Sequence, residues 1–206
     1  MYTSLAATSE TLRQMLLDSY QSDIGPFGLA SFFTGTTTVS LETPEEMVRA
    51  RRQGLSLWLY RVARDDQRLN APPTTRVRPT GDVEIVPPPL PIRLHYLLTP
   101  LASGRPDTEQ KILGRALQLF HTVPIVAGSW LRSDLAGTEA ELHLHLEALD
   151  LQEITHVWEA LEGSYQLSVS YEVTLANIDS LAQPLVSSLV ESVRSDIAVI
   201  VGQEEA

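Results

Sequence analysis

His143, His145 and Glu147 alternate along the run ELHLHLE, and all three carry side chains able to bind a metal. In an extended strand they share one face at intervals of about 7 Å. Imidazole nitrogen and carboxylate oxygen are both accepted by Zn²⁺. A working site needs further ligands from elsewhere. The other histidines are His95, His121 and His156, and their spacing shows no route to the same point. The same alternation describes the solvated or partner-facing side of an antiparallel strand. That second reading is adopted, and no metal, cofactor-binding or catalytic residue is assigned.

Other chemistry is equally sparse. Asp65-Asp66 and Glu45-Glu46 are paired carboxylates, but they fall in turn or helix-start contexts, and general acid–base work would need one of each pair held in a pocket. The chain has no Gly-x-Ser-x-Gly elbow, no phosphate-cradling glycine loop ending in lysine and no dinucleotide fingerprint. Pro88-Pro89-Leu90-Pro91 fits a bend leading into a strand better than a recognition motif. Trp58, Trp130 and Trp158 read as packing anchors.

The elements that would position these residues are better specified. Between 139 and 175, Leu142, Leu144 and Leu146 alternate with polar residues, and Tyr165 to Leu175 repeats the pattern, so two half-buried strands are expected. Between them Leu151, Ile154, Trp158 and Leu161 fall at helical spacing. Residues 4–19 and 108–121 predict amphipathic helices, with Leu5, Leu12, Met15 and Leu16 on one face of the first and Ile112, Leu113, Ala116, Leu117 and Phe120 on one face of the second. Residues 36–41 and 91–98 predict strands, and 123–126 an extended segment. Residues 55–62, apolar on both faces, are the best candidate for a central strand. Thr43-Pro44-Glu45-Glu46 fits a helix N-cap or a turn before the next strand. Residues 65–89, rich in proline, form a weakly structured stretch in which 82–86 could be a strand of a hairpin-like arm. At the end, 184–201 carries Val186, Leu189, Val190, Val193, Ile197 and Ile200 as a helical stripe, free either to dock on its own domain or to bind another chain.

Composition narrows the class. At 206 residues the chain suits one domain, or one domain with an appendage, and 43% hydrophobic residues support a real core. The net charge of −11 argues against a duplex reader, whose affinity depends on neutralising phosphates. The nearest basic patch, Arg49, Arg51 and Arg52 followed by Arg61, Arg64 and Arg68, could equally pair with carboxylates of a neighbouring copy. Without cysteine there is no disulfide framework and no thiolate metal site. The N-terminus lacks the features of a secretory signal, and no apolar stretch reaches the roughly 20 residues of a membrane span, so cytoplasmic synthesis and folding are expected.

Four segments in order, LSLWLYRV (55–62), PPPLPIRLHYLLTPLA (87–102), EQKILGRALQLFHTVPIV (109–126) and LHLEALDLQEITHVWEALEGSYQLSVSYEVTLANIDS (144–180), resemble the N-terminal domain of tail cap, or tail terminator, proteins of contractile injection systems of the Photorhabdus virulence cassette and antifeeding prophage type. The distinctive parts are a strand running into Leu-x-Pro-Leu, the helix with Gln-Lys-Ile-Leu-Gly-Arg-Ala, and Trp-Glu-Ala-Leu followed by Tyr-x-Leu-Ser-Val-x-Tyr.

The resemblance implies an α+β fold, a mixed and mostly antiparallel sheet with flanking helices, similar to phage tail terminators. It implies a cap domain over 1–181 and a helical segment or arm over 182–206. It further implies a structural, non-enzymatic protein without a cofactor. Such a protein forms a hexameric ring, ends the inner tube and anchors the last sheath ring, with inner tube and sheath proteins as partners. Assembly in the cytoplasm, into a particle that is released or membrane-docked, follows from the same likeness. The alternatives are another ring or adaptor protein of the same particle, and a metal-dependent enzyme using His143/His145.

Overall fold

A computed structural model describes residues 2–70, 72–79, 81–174 and 185–187. In chain order the elements are α1 (Ser4–Gln21), β1 (Thr38–Ser40), α2 (Pro44–Arg49), β2 (Gly54–Arg64), β3 (Thr74–Val77), β4 (Val83–Val86), β5 (Ile92–Leu101), α3 (Pro106–Thr122), β6 (Ile125–Ala127), β7 (Glu141–Leu146), α4 (Leu151–Ala160), β8 (Val169–Thr174) and β9 (Leu185–Ser187), with short 3₁₀ turns at Asp66–Arg68, Gly128–Trp130 and Ser133–Leu135. They fall into two units. The larger comprises Met1–Asn70 and Pro89–Asp179, the smaller Ala71–Pro88 and Ser180–Ala206.

The larger unit is built on a six-stranded sheet of order β1-β2-β5-β8-β7-β6. Only β1 and β2 run parallel; every other neighbouring pair is antiparallel. This is the α+β class expected from the sequence. Period-two alternation turns Leu94, Tyr96 and Leu98 of β5, Leu142 and Leu144 of β7, and Tyr171 and Val173 of β8 into one core with Leu12, Met15 and Leu16 of α1 and Ile112, Ala116 and Phe120 of α3. Tyr20 and Tyr96 are buried in it with their hydroxyls satisfied, by the Ile112 carbonyl at 3.0 Å and by Ser9 Oγ at 2.8 Å. The opposite face of the sheet is covered in part by α4. Trp158 and Ile154 pack on Leu97 there, with Trp58 and Tyr60 alongside, and the Trp158 indole N–H donates to Ser168 Oγ at 3.1 Å. Burial of side chains of this size stabilises by about 1.5–3 kcal/mol each.

Helix starts follow local chemistry. Thr43 caps α2 and Asp150 caps α4, each in a full capping box with Glu46 and Glu153. The motif at 43–46 is therefore a helix N-terminus and not a bare turn. Three expectations need correction. Residues 55–62 lie in β2, which is penultimate in the sheet: Gly54–Leu57 are buried, but β1 flanks only Gly54–Ser56, and Arg61, Val62 and Arg64 are exposed. The strand buried along nearly its whole length is β5. The strand predicted to begin at Tyr165 begins at Val169, because 161–168 must first turn back around the end of α4, where Tyr165 stacks edge-on to Trp158.

The smaller unit holds a three-stranded sheet of order β3-β4-β9. The hairpin-like arm is thus present, as β3 and β4. The third expectation, a helix over 184–201, fails at Leu185–Ser187, which pairs antiparallel with Val83–Ile85. The rest of that stripe lies outside the described residues. The reason is local: a two-stranded hairpin is marginal alone, and a third strand satisfies the open edge of β4.

One residue pins the parallel β1–β2 junction. Gly54 has φ +130, and a Cβ there would sit 1.9 Å from the Thr38 carbonyl oxygen. Gly54→Ala should therefore destabilise the larger unit by about 2–4 kcal/mol through strain and displacement of β1. Chemical denaturation checks this; an unchanged midpoint would mean β1 can shift freely.

Candidate functional site

The face of the sheet opposite the main core is the side on which polar residues gather. Register places Arg61 of β2 opposite His95 of β5, His95 opposite Glu172 of β8, and Glu172 opposite His145 of β7. Glu147, just past β7, is held by its backbone N–H donating to the Ser170 carbonyl at 2.9 Å. Its carboxylate reaches back over the sheet. Oε1 lies 3.0 Å from His95 Nδ1, and Oε2 accepts from the Ser170 hydroxyl and, at 3.4 Å, from the Tyr60 hydroxyl. Tyr60 and Ser170 are themselves 3.0 Å apart. Tyr60 reaches this group because β2 has an irregularity between Leu59 and Arg61. Next to it, Glu172 meets Arg93 at 3.3 Å, and Arg93 Nε lies 3.6 Å from Asp65, an electrostatic contact too long for a hydrogen bond.

Histidine, carboxylate and serine together raise the question of nucleophilic catalysis. In a working triad the imidazole bridges serine and carboxylate, so that it can take the serine proton. Here Glu147 takes both His95 and Ser170 directly, and the serine proton faces a carboxylate that is already stabilised. The arrangement holds strands together; it does not activate Ser170.

Metal binding can be tested in the same way. His95, Glu147 and Glu172 have ligand atoms within 4.8 Å of one another, the one such group among the described residues. His95 Nδ1 faces Glu147, and Glu172 is engaged by Arg93, so a cation would have to displace both contacts. The pair singled out from sequence is placed elsewhere: His143 lies 3.5 Å from Glu141, and His145 is exposed beside Glu172. His121 and His156 are exposed and join neither. The buried histidine is His95, 5% exposed, and its partner comes from a strand end about fifty residues away. Its one sequence signal is a histidine inside the apolar run IRLHYLL.

The group has a defined electrostatic balance. Burial alone would raise the Glu147 carboxyl, but the contacts from His95, Ser170 and Tyr60 outweigh it and hold the group below the ordinary carboxylate value of 4.5. Burial pushes the Tyr60 hydroxyl up. A carboxylate depressed in the folded state contributes its full stabilisation above its unfolded value, and loses it as pH falls toward the lowered folded one. Glu147→Gln should cost about 1–3 kcal/mol at neutral pH. The gap to the unsubstituted chain should narrow below pH 4.5. Urea titrations at pH 7 and pH 3.5 read this directly; a gap that stays constant would show that the charge is not what matters.

The arginines of the sequence patch have a common location. Arg49 ends α2, Arg51 and Arg52 lie between α2 and β2, Arg61 and Arg64 lie on β2, and Arg68 closes the following turn. All six are exposed on the β1–β2 side of the sheet. Arg52 pairs with Glu42 at 2.6 Å and Arg64 with Asp66 at 3.0 Å, whereas Arg51, Arg61 and Arg68 make no salt bridge among the described residues. Among those residues, no helix is long and apolar enough to cross a membrane.

Comparison with known proteins gives a consistent result. A search of curated proteins finds no match. Among solved structures, the fold is similar to the sheath/tube terminator of the PVC extracellular contractile injection system in its extended state, with TM-score 0.65 and 16% identity over 97% of this chain and 65% of that one. It is also similar to the tube-terminating cap of the anti-feeding prophage, with TM-score 0.61 and 15% identity over 89% of this chain and 59% of that one. The chain thus spans less than two thirds of the length of either protein. The Pvc16 N-terminal domain matches residues 7–192, most of the sequence, and the chain belongs to that family.

Proposed function

We propose that this protein is the cap, or tail terminator, of a phage-tail-like contractile injection system. It forms a ring, hexameric as the family resemblance implies, that ends the inner tube and anchors the last ring of the sheath. The observation carrying this reading is the fold shared with two tube-terminating proteins over nearly the whole chain. The chemistry of the polar face is in keeping with a structural role: Glu147, His95, Ser170 and Tyr60 are engaged in strand-to-strand contacts. Its partners are further copies of itself, the inner tube protein and the sheath protein. Assembly takes place in the cytoplasm, before the particle is released or docked at a membrane.

Within this reading the larger unit is the body of the ring, and the hairpin with its added strand is the reaching element. A sheet edge such as β3, exposed at all four residues, suits pairing with a strand of another subunit. Removal of 184–206 should then weaken attachment to the particle while leaving the larger unit folded, as read by co-purification with particles and by circular dichroism. Loss of the fold would instead make that segment part of the core.

Location is the decisive test. Imaging purified particles with this subunit labelled should place it at the end opposite the baseplate, and deleting it should give tubes of uncontrolled length. Label at the baseplate, or along the tube, would favour another ring or adaptor of the same particle.

A further inference from the structure

The three-stranded sheet of the smaller unit has one apolar face, and we infer that residues 189–201 of the same chain cover it as an amphipathic helix. The inference goes beyond the cap reading and does not depend on it.

Register sorts the side chains of this sheet. Residues directly opposite one another in neighbouring strands share a face, and successive residues along a strand alternate between faces. Ile85 lies opposite Thr75 and Leu185, and Val83 opposite Val77 and Ser187. One face therefore carries Val77, Val83, Ile85 and Leu185, with only Thr75 and Ser187 among them. The other carries Glu84 opposite both Arg76 and Val186, and Val86 opposite Thr74. Glu84 also accepts from Arg78 at 3.1 Å.

The apolar face is open. Val77 is 68% exposed and Leu185 70%, and Val83 and Ile85 are partly exposed. Among the described residues every α-helix belongs to the larger unit, so the smaller one has none of its own. A sheet with one hydrophobic face buries it against another element, and three short strands do so most simply with a helix.

The sequence directly after β9 supplies that element. Strand β9 ends at Ser187 and is the outer strand of its sheet. Ser188-Leu189-Val190-Glu191 then has the Ser-x-x-Glu spacing of a capping box, in which each side chain accepts from the other residue's backbone N–H. At about 100° per residue, Leu189, Val190, Val193, Ile197, Ile200 and Val201 fall within an arc of about 120°, and Glu191, Ser192 and Ser195 lie on the other side. Gly202 follows at the position where glycine commonly ends a helix. A helix over 189–201 is about 20 Å long, enough to cross three strands spaced about 4.8 Å apart. Its tether to β9 keeps it at high effective concentration beside the face, an advantage that a second copy lacks. With that face covered, the surfaces of the arm left for partners are the Arg76–Glu84 face and the exposed edge of β3.

Because the chain has no cysteine, introduced pairs report proximity without background. In the full chain, Ile85→Cys combined in turn with Leu189→Cys, Val193→Cys and Ile197→Cys should give a disulfide within one chain in at least one pair. Glu84→Cys, on the opposite face, should give none with the same partners. Disulfides between chains would assign the face to another copy and overturn the docking, as would equal yields from Ile85→Cys and Glu84→Cys or none at all. Hydrogen exchange gives an independent reading. Val193→Asp with Ile197→Asp should speed exchange at Val83–Val86 by about tenfold or more, whereas Ser192→Asp with Ser195→Asp should leave it unchanged, and neither pair should alter the amides of β5. Equal effects from both pairs, or no effect from the first, would overturn the proposal. The ring reading stands or falls separately, on oligomeric state and location on the particle.

Discussion

Strand β5 has neighbours on both sides and cover on both faces, so each of its residues must satisfy one of two environments. Leu94, Tyr96 and Leu98 enter the main core, whereas His95 and Leu97 point to the face partly covered by α4. A buried imidazole on that second face requires a partner, because an unsatisfied polar group there costs a large share of a protein's net stability. Glu147 meets that need from the far side of β8, Ser170 and Tyr60 complete its shell, and the positions of β2, β7 and β8 relative to β5 are thereby tied together. The end of β7 and the irregularity in β2 are both consistent with keeping this contact closed.

In this arrangement the titratable groups around β5 and β8 are partnered, Glu147 with His95 and Ser170, and Glu172 with Arg93. Catalysis by such groups would need a base aimed at a nucleophile and donors aimed at the reacting atom. Here the donors and acceptors serve one another across the strands, whereas Arg51, Arg61 and Arg68, exposed on the β1–β2 side, make no salt bridge among the described residues.

The parts of the fold governed by local periodicity are legible in the sequence. Helices α1, α3 and α4, the strands around 91–98 and 142–146, and the hairpin all follow from apolar spacing and caps. Long-range decisions are less so. That β5 rather than β2 lies deepest depends on how many residues β1 contributes, which no pattern within 55–62 encodes. The alternation at Tyr165 and Leu167 continues that of β8, yet both residues serve the turn behind Trp158. At the candidate site, His143 and His145 draw attention by their spacing, but His95 is the residue with a buried partner, because register across three strands brings His95 and Glu147 together. Pairing across a sheet is invisible to spacing along one strand.

The β4–β9 pair has a consequence for the order of events during synthesis. Ile85 meets Leu185, a partner 100 residues further along the chain. At roughly 5–20 residues per second the ribosome needs about 5–20 s to supply it. In that interval the six strands of the larger sheet have all been made, while the hairpin still lacks its third strand. Strand β8, which joins β5 to β7, is itself made shortly before β9, so both sheets depend for completion on the same late stretch of the chain.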